Sequence, residues 1–307
     1  GLGHAALAEQ HELALRVFQL IRVMESPGHA GRTADTRQRL ELGVLGFFQN
    51  FRKVYVGEQA VHSSRVYVPL SERLGLPADE VDRVLRRFAT ERCTAFATKG
   101  AVTTGVPVRD ELVHLAGHRV RAEVEPAIEP GRRVVVVMTG SLGAARVNDA
   151  VVDLAHRWSE RRDVVLVHVT GRRDFDRVSA ARPTTAGLDY RVIAFADMVT
   201  WWSLADVAVC RAGAATVAEL TLLGIPSVLV PLPGAPGDHQ SANAAALASS
   251  GAATVIADRE CSGERLASEL DLILEPSRHD EMSAAAASLG RADAADTIAR
   301  VVSELAP

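Results

Sequence analysis

The sequence predicts an α/β protein built around a doubly wound parallel sheet, and three observations predict this fold class. From Arg132 onward, short apolar runs alternate with amphipathic segments, as strands alternate with the helices that cover them. Hydrophobic residues make up 48% of the chain and aromatic residues only 5%, which fits Ala- and Val-rich strands buried on both faces. The length of 307 residues suggests about two domains, each with its own core.

The elements of this second part follow from the spacing of apolar residues. Short β-branched runs predict strands at Arg133 to Met138, Val164 to His168, Tyr190 to Ala194, Asp206 to Cys210, Ser227 to Val230 and Ala253 to Ile256. Apolar residues at helical spacing predict helices at Ala144 to Glu160, Thr216 to Leu223, His239 to Ser249, Gly263 to Leu274 and from Met282 to the C-terminus.

The first hundred residues have a different pattern, in which strand-like runs are nearly absent apart from Val66 to Leu70. Amphipathic helices are predicted at Glu12 to Met24, Ala34 to Phe51 and Ala78 to Thr90. The segment Val44 to Val56 places aromatic side chains beside Arg52 and Lys53. It is either a membrane-surface patch or a helix that buries its aromatic residues in the local core.

A stretch of Pro, Glu and Gly residues divides the chain. We expect a helix-rich N-terminal domain at residues 1–123, a linker at 124–131 and a C-terminal domain at 132–307.

Charge and cysteine content argue against several classes of protein. The net charge of −4 is not that of a general nucleic-acid binder. The three cysteines are scattered without CxxC spacing, so neither disulfides nor a zinc site is predicted, and Cys210 is expected to be a small buried residue. No apolar run approaches the roughly 20 residues of a membrane span, and the first residues lack a signal pattern, so we expect a cytoplasmic protein.

The segment from Ala205 to Leu247 contains two strand–turn–helix units and most of the functional signal. Arg211 follows the first strand, and Glu219 lies one turn into the next helix. Free N–H groups in the first turn of a helix suit anionic oxygens, and a carboxylate at this place can accept hydrogen bonds from the vicinal hydroxyls of a ribose. The alternative for Glu219 is a solvated carboxylate favoured by the helix dipole.

The second unit adds polar residues at the same edge of the predicted sheet. A Pro/Gly loop follows its strand, and His239, Gln240 and Asn243 then open the next helix. Capping of the helix by a polar side chain would explain only one of these three residues. Together with Glu219 they predict a nucleotide-sugar site.

An earlier turn between a strand and a helix carries Gly140, Ser141 and Gly143. Glycines there let the backbone approach a diphosphate, and the Ser141 hydroxyl can donate a hydrogen bond. The sequence TGSLGA is not the GxGxxG fingerprint, so an ordinary capped helix start is the alternative.

Long motifs in this part of the chain resemble the MurG family of N-acetylglucosaminyltransferases. They are TGSLGAARVNDAVVDLA, HVTGRRDF, CRAGAATVAEL, GIPSVLVPLPGAPGDHQSANA and the terminal MSAAAASLGRADAADTIARVVSELA, preceded by TGVPVRDEL at Thr104 to Leu112. The resemblance runs from about Phe88 to the end of the chain. Several long motifs in the family's order make it specific.

This resemblance implies a GT-B fold, in which two Rossmann-like domains face a cleft and the N-terminal one is here reduced or atypical. It implies transfer of N-acetylglucosamine from UDP-GlcNAc to lipid I, an undecaprenyl-linked acceptor at the cytoplasmic face of the inner membrane. The transfer would invert the anomeric carbon without a metal or another cofactor. Asp174-Phe175-Asp176 spells the DxD pattern of a different glycosyltransferase fold, but here it is expected to start a helix.

The resemblance also assigns residues to the donor. These are Gly140, Ser141 and Arg109 at the phosphates, the Ala196 backbone at the uracil, Arg211 beside that site, Glu219 at the ribose hydroxyls, and His239, Gln240 and Asn243 at the sugar hydroxyls. Trp201 and Trp202 either flank the base or pack against the neighbouring helix.

Departures from the family pattern fall where the acceptor should bind. The family's GGTGGH loop has only a remnant, Gly1-Leu2-Gly3-His4, in which His4 would be the general base by position and a solvated histidine is the alternative. The HEQN motif is missing, because Leu76-Pro77-Ala78-Asp79 runs directly into the next helix. Two further hypotheses therefore stand: a UDP-sugar-binding protein that has lost the acceptor, or a glycosyltransferase with a soluble acceptor.

Overall fold

The computed structural model describes residues 54–56, 91–117, 124, 127–140, 144–184, 187–235 and 238–305, all within one compact unit, Arg52–Pro307. Several features predicted from the sequence lie outside these residues. They are the helices at Glu12 to Met24, Ala34 to Phe51 and Ala78 to Thr90, the run Val66 to Leu70, and the site residues His4 and Ser141.

A small parallel sheet precedes the main one. Its strands are β1 (Val54–Val56), β2 (Glu91–Thr94) and β3 (Val102–Thr103), in the order β1-β2-β3, with Val54 paired to Glu91. The helical interpretation of Val44 to Val56 is therefore wrong for its last three residues. The run Val-Tyr-Val has high β-propensity, and pairing with β2 outweighs the helical spacing of the aromatic residues before it.

The main sheet is parallel and has the doubly wound order. Its strands are β4 (Arg133–Met138), β5 (Val164–Val169), β6 (Asp189–Ile193), β7 (Val207–Cys210), β8 (Ser227–Leu229) and β9 (Ala253–Val255), arranged β6-β5-β4-β7-β8-β9. The chain runs outward from β4 in one direction and then returns to continue from β7 in the other. In such sheets ligands bind at the carboxyl ends of the strands where the order reverses, here between β4 and β7.

The helices follow the chain as crossovers and cover both faces. They are α1 (Asp110–Gly117), α2 (Ala145–Arg157), α3 (Phe175–Ala180), α4 (Met198–Leu204), α5 (Ala214–Leu222), α6 (His239–Ser249), α7 (Gly263–Leu274), α8 (Pro276–Ser288) and α9 (Ala294–Leu305), with a 3₁₀ turn at Asp258–Glu260. Strand β4 and helices α6 and α7 have the predicted bounds. Among the described residues no helix is both long and apolar enough to cross a membrane.

The expectation of one long helix from Met282 to the C-terminus is wrong. Helix α8 begins earlier, at Pro276, and ends at Ser288, and α9 begins only at Ala294. A Cβ on Gly290, in the break, would lie 2.9 Å from the Thr221 carbonyl oxygen, so close packing against α5 requires glycine there. The sequence also left out the short helices α1 and α4, whereas α3 begins at Phe175, where the Asp174-Phe175-Asp176 segment was expected to start a helix.

Alternation along β4 builds two cores. Val134 and Val136 face one cluster with Trp202 and Leu220, whereas Val135 and Val137 face the other with residues of α2 and α7. All four valines are fully buried, which explains why the strand is a continuous apolar run. On the second face α2 and α7 approach so closely that a Cβ on Gly263 would lie 2.5 Å from the Leu154 backbone nitrogen.

Candidate functional site

The predicted site residues gather at the carboxyl edge of the main sheet, around the point where the strand order reverses. Gly140 follows β4, Ala196 follows β6, and Arg211 follows β7. Glu219 lies on α5, and the three polar residues His239, Gln240 and Asn243 lie in the first half of α6. Arg109 directly precedes α1, which packs against α4 and α5.

Gly140 has the left-handed backbone that the predicted diphosphate turn needs. Its φ is +82°, while a Cβ there would meet nothing within 4 Å, so glycine is required by conformation and not by crowding. Helix α2 follows this turn, and no side chain of the described residues caps its first amides. N–H groups in the first turn of a helix suit an anion, here one at the end of β4.

Glu219 is held by a tryptophan that the sequence did not connect with it. The Trp202 Nε1 donates a hydrogen bond of 2.8 Å to Glu219 Oε2. Burial raises the pKa of the Glu219 carboxyl above its usual value, while the Trp202 hydrogen bond and the charge of Arg109 act in the opposite direction. Glu219 is therefore a half-buried carboxyl oriented by a hydrogen bond, and not the freely solvated group of the alternative interpretation.

Arg211 is part of a charged cluster that ties three loops together. Its Nη1 donates to the carbonyl oxygens of Val230 at 3.0 Å and Pro231 at 3.1 Å, and lies 2.7 Å from Asp258 Oδ1. The other oxygen of Asp258 lies 3.1 Å from Nε of Arg146, in the first turn of α2. The cluster joins the first turn of α2 and the loops after β7 and β8 to the 3₁₀ turn, and neither Arg146 nor Asp258 was predicted.

The three polar residues of α6 have different surroundings. Asn243 is fully buried, and its Nδ2 donates to the Ala212 carbonyl oxygen at 3.0 Å, so it supports the turn between β7 and α5 from below. Its Oδ1 is buried and has no hydrogen-bond partner among the described residues. Gln240 Oε1 accepts a hydrogen bond of 3.0 Å from the Leu232 amide, and His239 is half-buried. Contact of these three side chains with a sugar stays a prediction.

The turn after β6 presents an exposed aromatic ring beside a capped helix. Phe195 is 62% exposed, and the Arg172 guanidinium lies 5.1 Å above the ring centre. Asp197 caps α4 by accepting hydrogen bonds from the amides of Val199 and Thr200, and it lies 3.7 Å from Arg109 Nη1. The cap holds the backbone on either side of Ala196, where the sequence predicts the uracil.

A buried polar network joins β5 and β6 to α2. The fully buried His168 places Nδ1 2.8 Å from the Tyr190 hydroxyl and Nε2 2.9 Å from Asn148 Oδ1. Asn148 Nδ2 donates in turn to the Thr170 carbonyl oxygen at 3.1 Å and to Asp174 Oδ2 at 2.8 Å.

The direction of these hydrogen bonds follows from the donors. Burial lowers the pKa of His168 to about 3, so the imidazole is neutral near pH 7 and carries one proton. Since Asn148 donates through Nδ2, its Oδ1 must accept from His168 Nε2–H, and the Tyr190 hydroxyl must donate to Nδ1. This network, which the sequence did not predict, connects the first turn of α2 with the loop that carries Arg172.

The DxD pattern has the structural role expected for it. Asp174 directly precedes α3 and belongs to the network, and Asp176 lies in the first turn of that helix. In the part of the chain that the structure describes, no group of three or more His, Cys, Asp or Glu residues is arranged to hold a metal ion.

Comparison with family models identifies the C-terminal part of the chain. The model of the glycosyltransferase family 28 C-terminal domain matches residues 134–298, more than half of the chain. A second model, the Exportin-7-like TPR domain, matches residues 8–96, which lie almost entirely outside the described residues.

Two curated relatives carry the name UDP-N-acetylglucosamine--N-acetylmuramyl-(pentapeptide) pyrophosphoryl-undecaprenol N-acetylglucosamine transferase. The protein of Alkalilimnicola ehrlichii is 38% identical over 80% of this chain and 66% of its own length. That of Bacillus licheniformis is 36% identical over 73% of this chain and 61% of its own length. The chain thus spans slightly less than two thirds of the relatives it matches.

Solved structures agree with this relationship. MurG of Acinetobacter baumannii superposes with a TM-score of 0.59 at 27% identity, covering 72% of this chain and 63% of that one. The glycosyltransferase of kitacinnamycin superposes with a TM-score of 0.52 at 18% identity, covering 87% of this chain and 66% of that one, and supports the GT-B fold alone. The predicted fold class and the resemblance to the MurG family are therefore confirmed.

Proposed function

This chain belongs to glycosyltransferase family 28, and from that premise we propose that it transfers N-acetylglucosamine from UDP-GlcNAc to lipid I, with inversion and without a metal. The observation that carries the proposal is 38% identity, over 80% of the chain, to a relative named for this transfer. The gathering of predicted donor residues at one edge of the sheet supports it.

The donor half of the reaction is proposed for residues 132–307. Gly140, Ser141 and the uncapped first turn of α2 would hold the diphosphate, with Arg109 and Arg211 adding positive charge nearby. The backbone at Ala196 would meet the uracil, and Glu219 the ribose. The sugar hydroxyls would be held by His239, Gln240 and Asn243, and Asn243 Nδ2 also supports the turn at Ala212.

Departure of UDP requires stabilisation of the charge that develops on the diphosphate. Amides in the first turn of a helix are already oriented toward that charge and need no reorganisation during the reaction. Helix α5, like α2, has no capping side chain among the described residues, since its N-cap is Gly213. The two first turns would take the electrostatic role that a metal has in other glycosyltransferases.

The acceptor half is proposed for residues 1–123, joined through the linker at 124–131. His4 would accept the proton of the attacking hydroxyl, by its position in the remnant of the family loop. We place the protein in the cytoplasm, at the inner-membrane surface where an undecaprenyl-linked acceptor is found, with no role for nucleic acid.

Release of UDP from UDP-GlcNAc, with and without a lipid I analogue, tests the proposal. We expect release that depends on the analogue, and we expect His4→Ala to lower kcat while leaving UDP binding unchanged. Release at the same rate without the acceptor would contradict the transfer. Failure of UDP to bind would contradict the donor site as well.

One observation favours a second candidate function. The family's HEQN motif is missing at Leu76-Pro77-Ala78-Asp79, on the acceptor side. A UDP-sugar-binding protein with a lost or changed acceptor would bind UDP in calorimetry, release none with the lipid I analogue, and act at most on a soluble acceptor.

A further inference from the structure

The buried Trp202 contacts the carboxylate that we assign to the ribose. We infer that Trp202 is a positioning residue, which holds one oxygen of Glu219 so that the other is presented to the ribose hydroxyls. This inference rests on the proposed donor site, and it makes Trp202 a determinant of ribose specificity.

The contact is rigid on both sides. Trp202 is fully buried on α4 and packs in the same core cluster as Val217 and Leu220, which flank Glu219 on α5. Neither helix can shift at this point without disturbing that core. The indole N–H is a donor only, and the 2.8 Å hydrogen bond to Oε2 satisfies it inside the protein.

The two oxygens of the carboxylate therefore differ. Oε2 is engaged by Trp202, whereas Oε1 accepts no hydrogen bond from the described residues and is not sealed from solvent. A carboxylate whose plane is fixed through one oxygen presents the other in a defined direction. A ribose hydroxyl is a suitable donor to it, because a hydrogen bond to a charged acceptor is stronger than one between neutral groups.

Burial raises the pKa of the Glu219 carboxyl, and two neighbours oppose this effect. The Trp202 hydrogen bond and the positive charge of Arg109, just before α1, both favour the ionised form that accepts hydrogen bonds. Cys210, at the end of β7, carries no competing charge because burial raises the pKa of its thiol to about 12. Trp202 is therefore the neutral group that orients the carboxylate, while Arg109 acts through its charge.

The experiment measures the affinities of UDP and 2′,3′-dideoxy-UDP by calorimetry for the full chain. A hydrogen bond to a charged group corresponds to about a tenfold difference in affinity or more, so the intact protein should prefer UDP by at least about tenfold. Trp202→Phe keeps an aromatic side chain, although a smaller one, and removes the N–H. We expect the preference of this variant for UDP over 2′,3′-dideoxy-UDP to fall below about threefold. Its affinity for 2′,3′-dideoxy-UDP should change less than about twofold.

Trp201→Phe is the matched control, since Trp201 is nearly as buried, at 9% exposure, and its replacement leaves the Glu219 hydrogen bond in place. Trp201→Phe should prefer UDP over 2′,3′-dideoxy-UDP by the same factor as the intact protein. Retention of the full preference in Trp202→Phe would overturn the inference, while the donor site would stand. If the intact protein binds neither nucleotide, the proposed function fails first.

A spectroscopic measurement covers the case in which Trp202→Phe does not fold. The chain has three tryptophans, so the Trp202 indole N–H resonance is identified by loss of the other two in Trp158→Phe and Trp201→Phe. Glu219→Gln replaces the charged acceptor by a neutral one, and the Trp202 resonance should move upfield. An unmoved resonance would overturn the inference.

Discussion

The two sides of the carboxyl edge are held in different ways. On the β5–β6 side, His168, Tyr190 and Asn148 form a buried network in which the imidazole is neutral and both of its nitrogens are bonded. On the β7–β8 side, Arg211 forms an ion pair with Asp258, and buried polar atoms such as Arg211 Nε and Asn243 Oδ1 have no hydrogen-bond partner in the described part of the chain.

This difference indicates that the β5–β6 side supports the structure, whereas the β7–β8 side can bind a ligand. A network whose donors and acceptors are all paired has nothing left for a ligand, so the β5–β6 side holds its loops in place. Charged groups with unused hydrogen-bonding capacity are costly to bury, and they are found where a ligand can complete them. We therefore expect substitutions on the first side to affect folding, and those on the second to affect both folding and binding.

The largest loss of stability is expected from the substitution Asp258→Ala. This change leaves Arg211, whose side chain is 16% exposed, without its carboxylate, and it removes the partner of Arg146. Because an uncompensated buried charge is expensive, we expect a loss of about 3 kcal/mol in the free energy of unfolding. Urea denaturation measures it.

The matched control is Arg146→Ala, which removes only the half-exposed partner of the same carboxylate. It should cost less than about 1 kcal/mol, as exposed ion pairs do. Equal losses in the two variants would show that the cluster is not held by the Arg211 pair.

An intermediate loss of stability is expected on acidification, because His168 is protonated in the unfolded chain but not in the folded one. Burial holds its pKa at about 3, whereas an unfolded histidine titrates near 6.5, so below pH ~6.5 only the unfolded chain binds the proton. The stabilisation that comes from the neutral, buried imidazole is fully present above pH ~6.5. Between pH ~6.5 and ~5 the loss of this stabilisation lowers the free energy of unfolding by roughly 1.4 kcal/mol per pH unit, about 2 kcal/mol in all.

Urea titrations at several pH values between about 7 and 5 test this, with two variants. His168→Gln removes the titrating group. Below pH ~6.5 its free energy of unfolding should therefore fall less steeply with pH, by the equivalent of about one bound proton. Tyr190→Phe removes one hydrogen bond but leaves the imidazole buried, so it should cost about 1 kcal/mol and keep the pH dependence. An unchanged slope in His168→Gln would contradict the neutral network.

The smallest effect on stability is expected from Arg172→Ala. Its guanidinium lies over the exposed ring of Phe195, and such a contact contributes at most about 1 kcal/mol. We expect a change in unfolding free energy within about 0.5 kcal/mol, but weaker binding of UDP than of diphosphate if the uracil occupies this turn. Calorimetry with both ligands measures it, and equal losses would argue against the base lying there.

The positions of the site residues could be predicted, but their partners could not. The strand ends and helix starts around Arg211, Glu219 and His239 follow from local spacing, and parallel strands bring such turns to one edge. Trp202 lies 17 residues before Glu219, and Asp258 lies 47 residues after Arg211, so these pairs have no local signal. The hydrogen bond from Asn243 to the Ala212 carbonyl oxygen also has no local signal, since the two residues are 31 positions apart.

The sequence by itself determined the alternation of strands and helices, the bounds of β4, α6 and α7, and the family, because hydrophobic spacing and long motifs are written along the chain. Only the tertiary structure decided that Val54–Val56 joins a sheet, that the last helix is broken at Gly290, and which side chains hold Glu219 and Arg211. Those features depend on contacts between segments distant in sequence, and local spacing carries no information about such contacts.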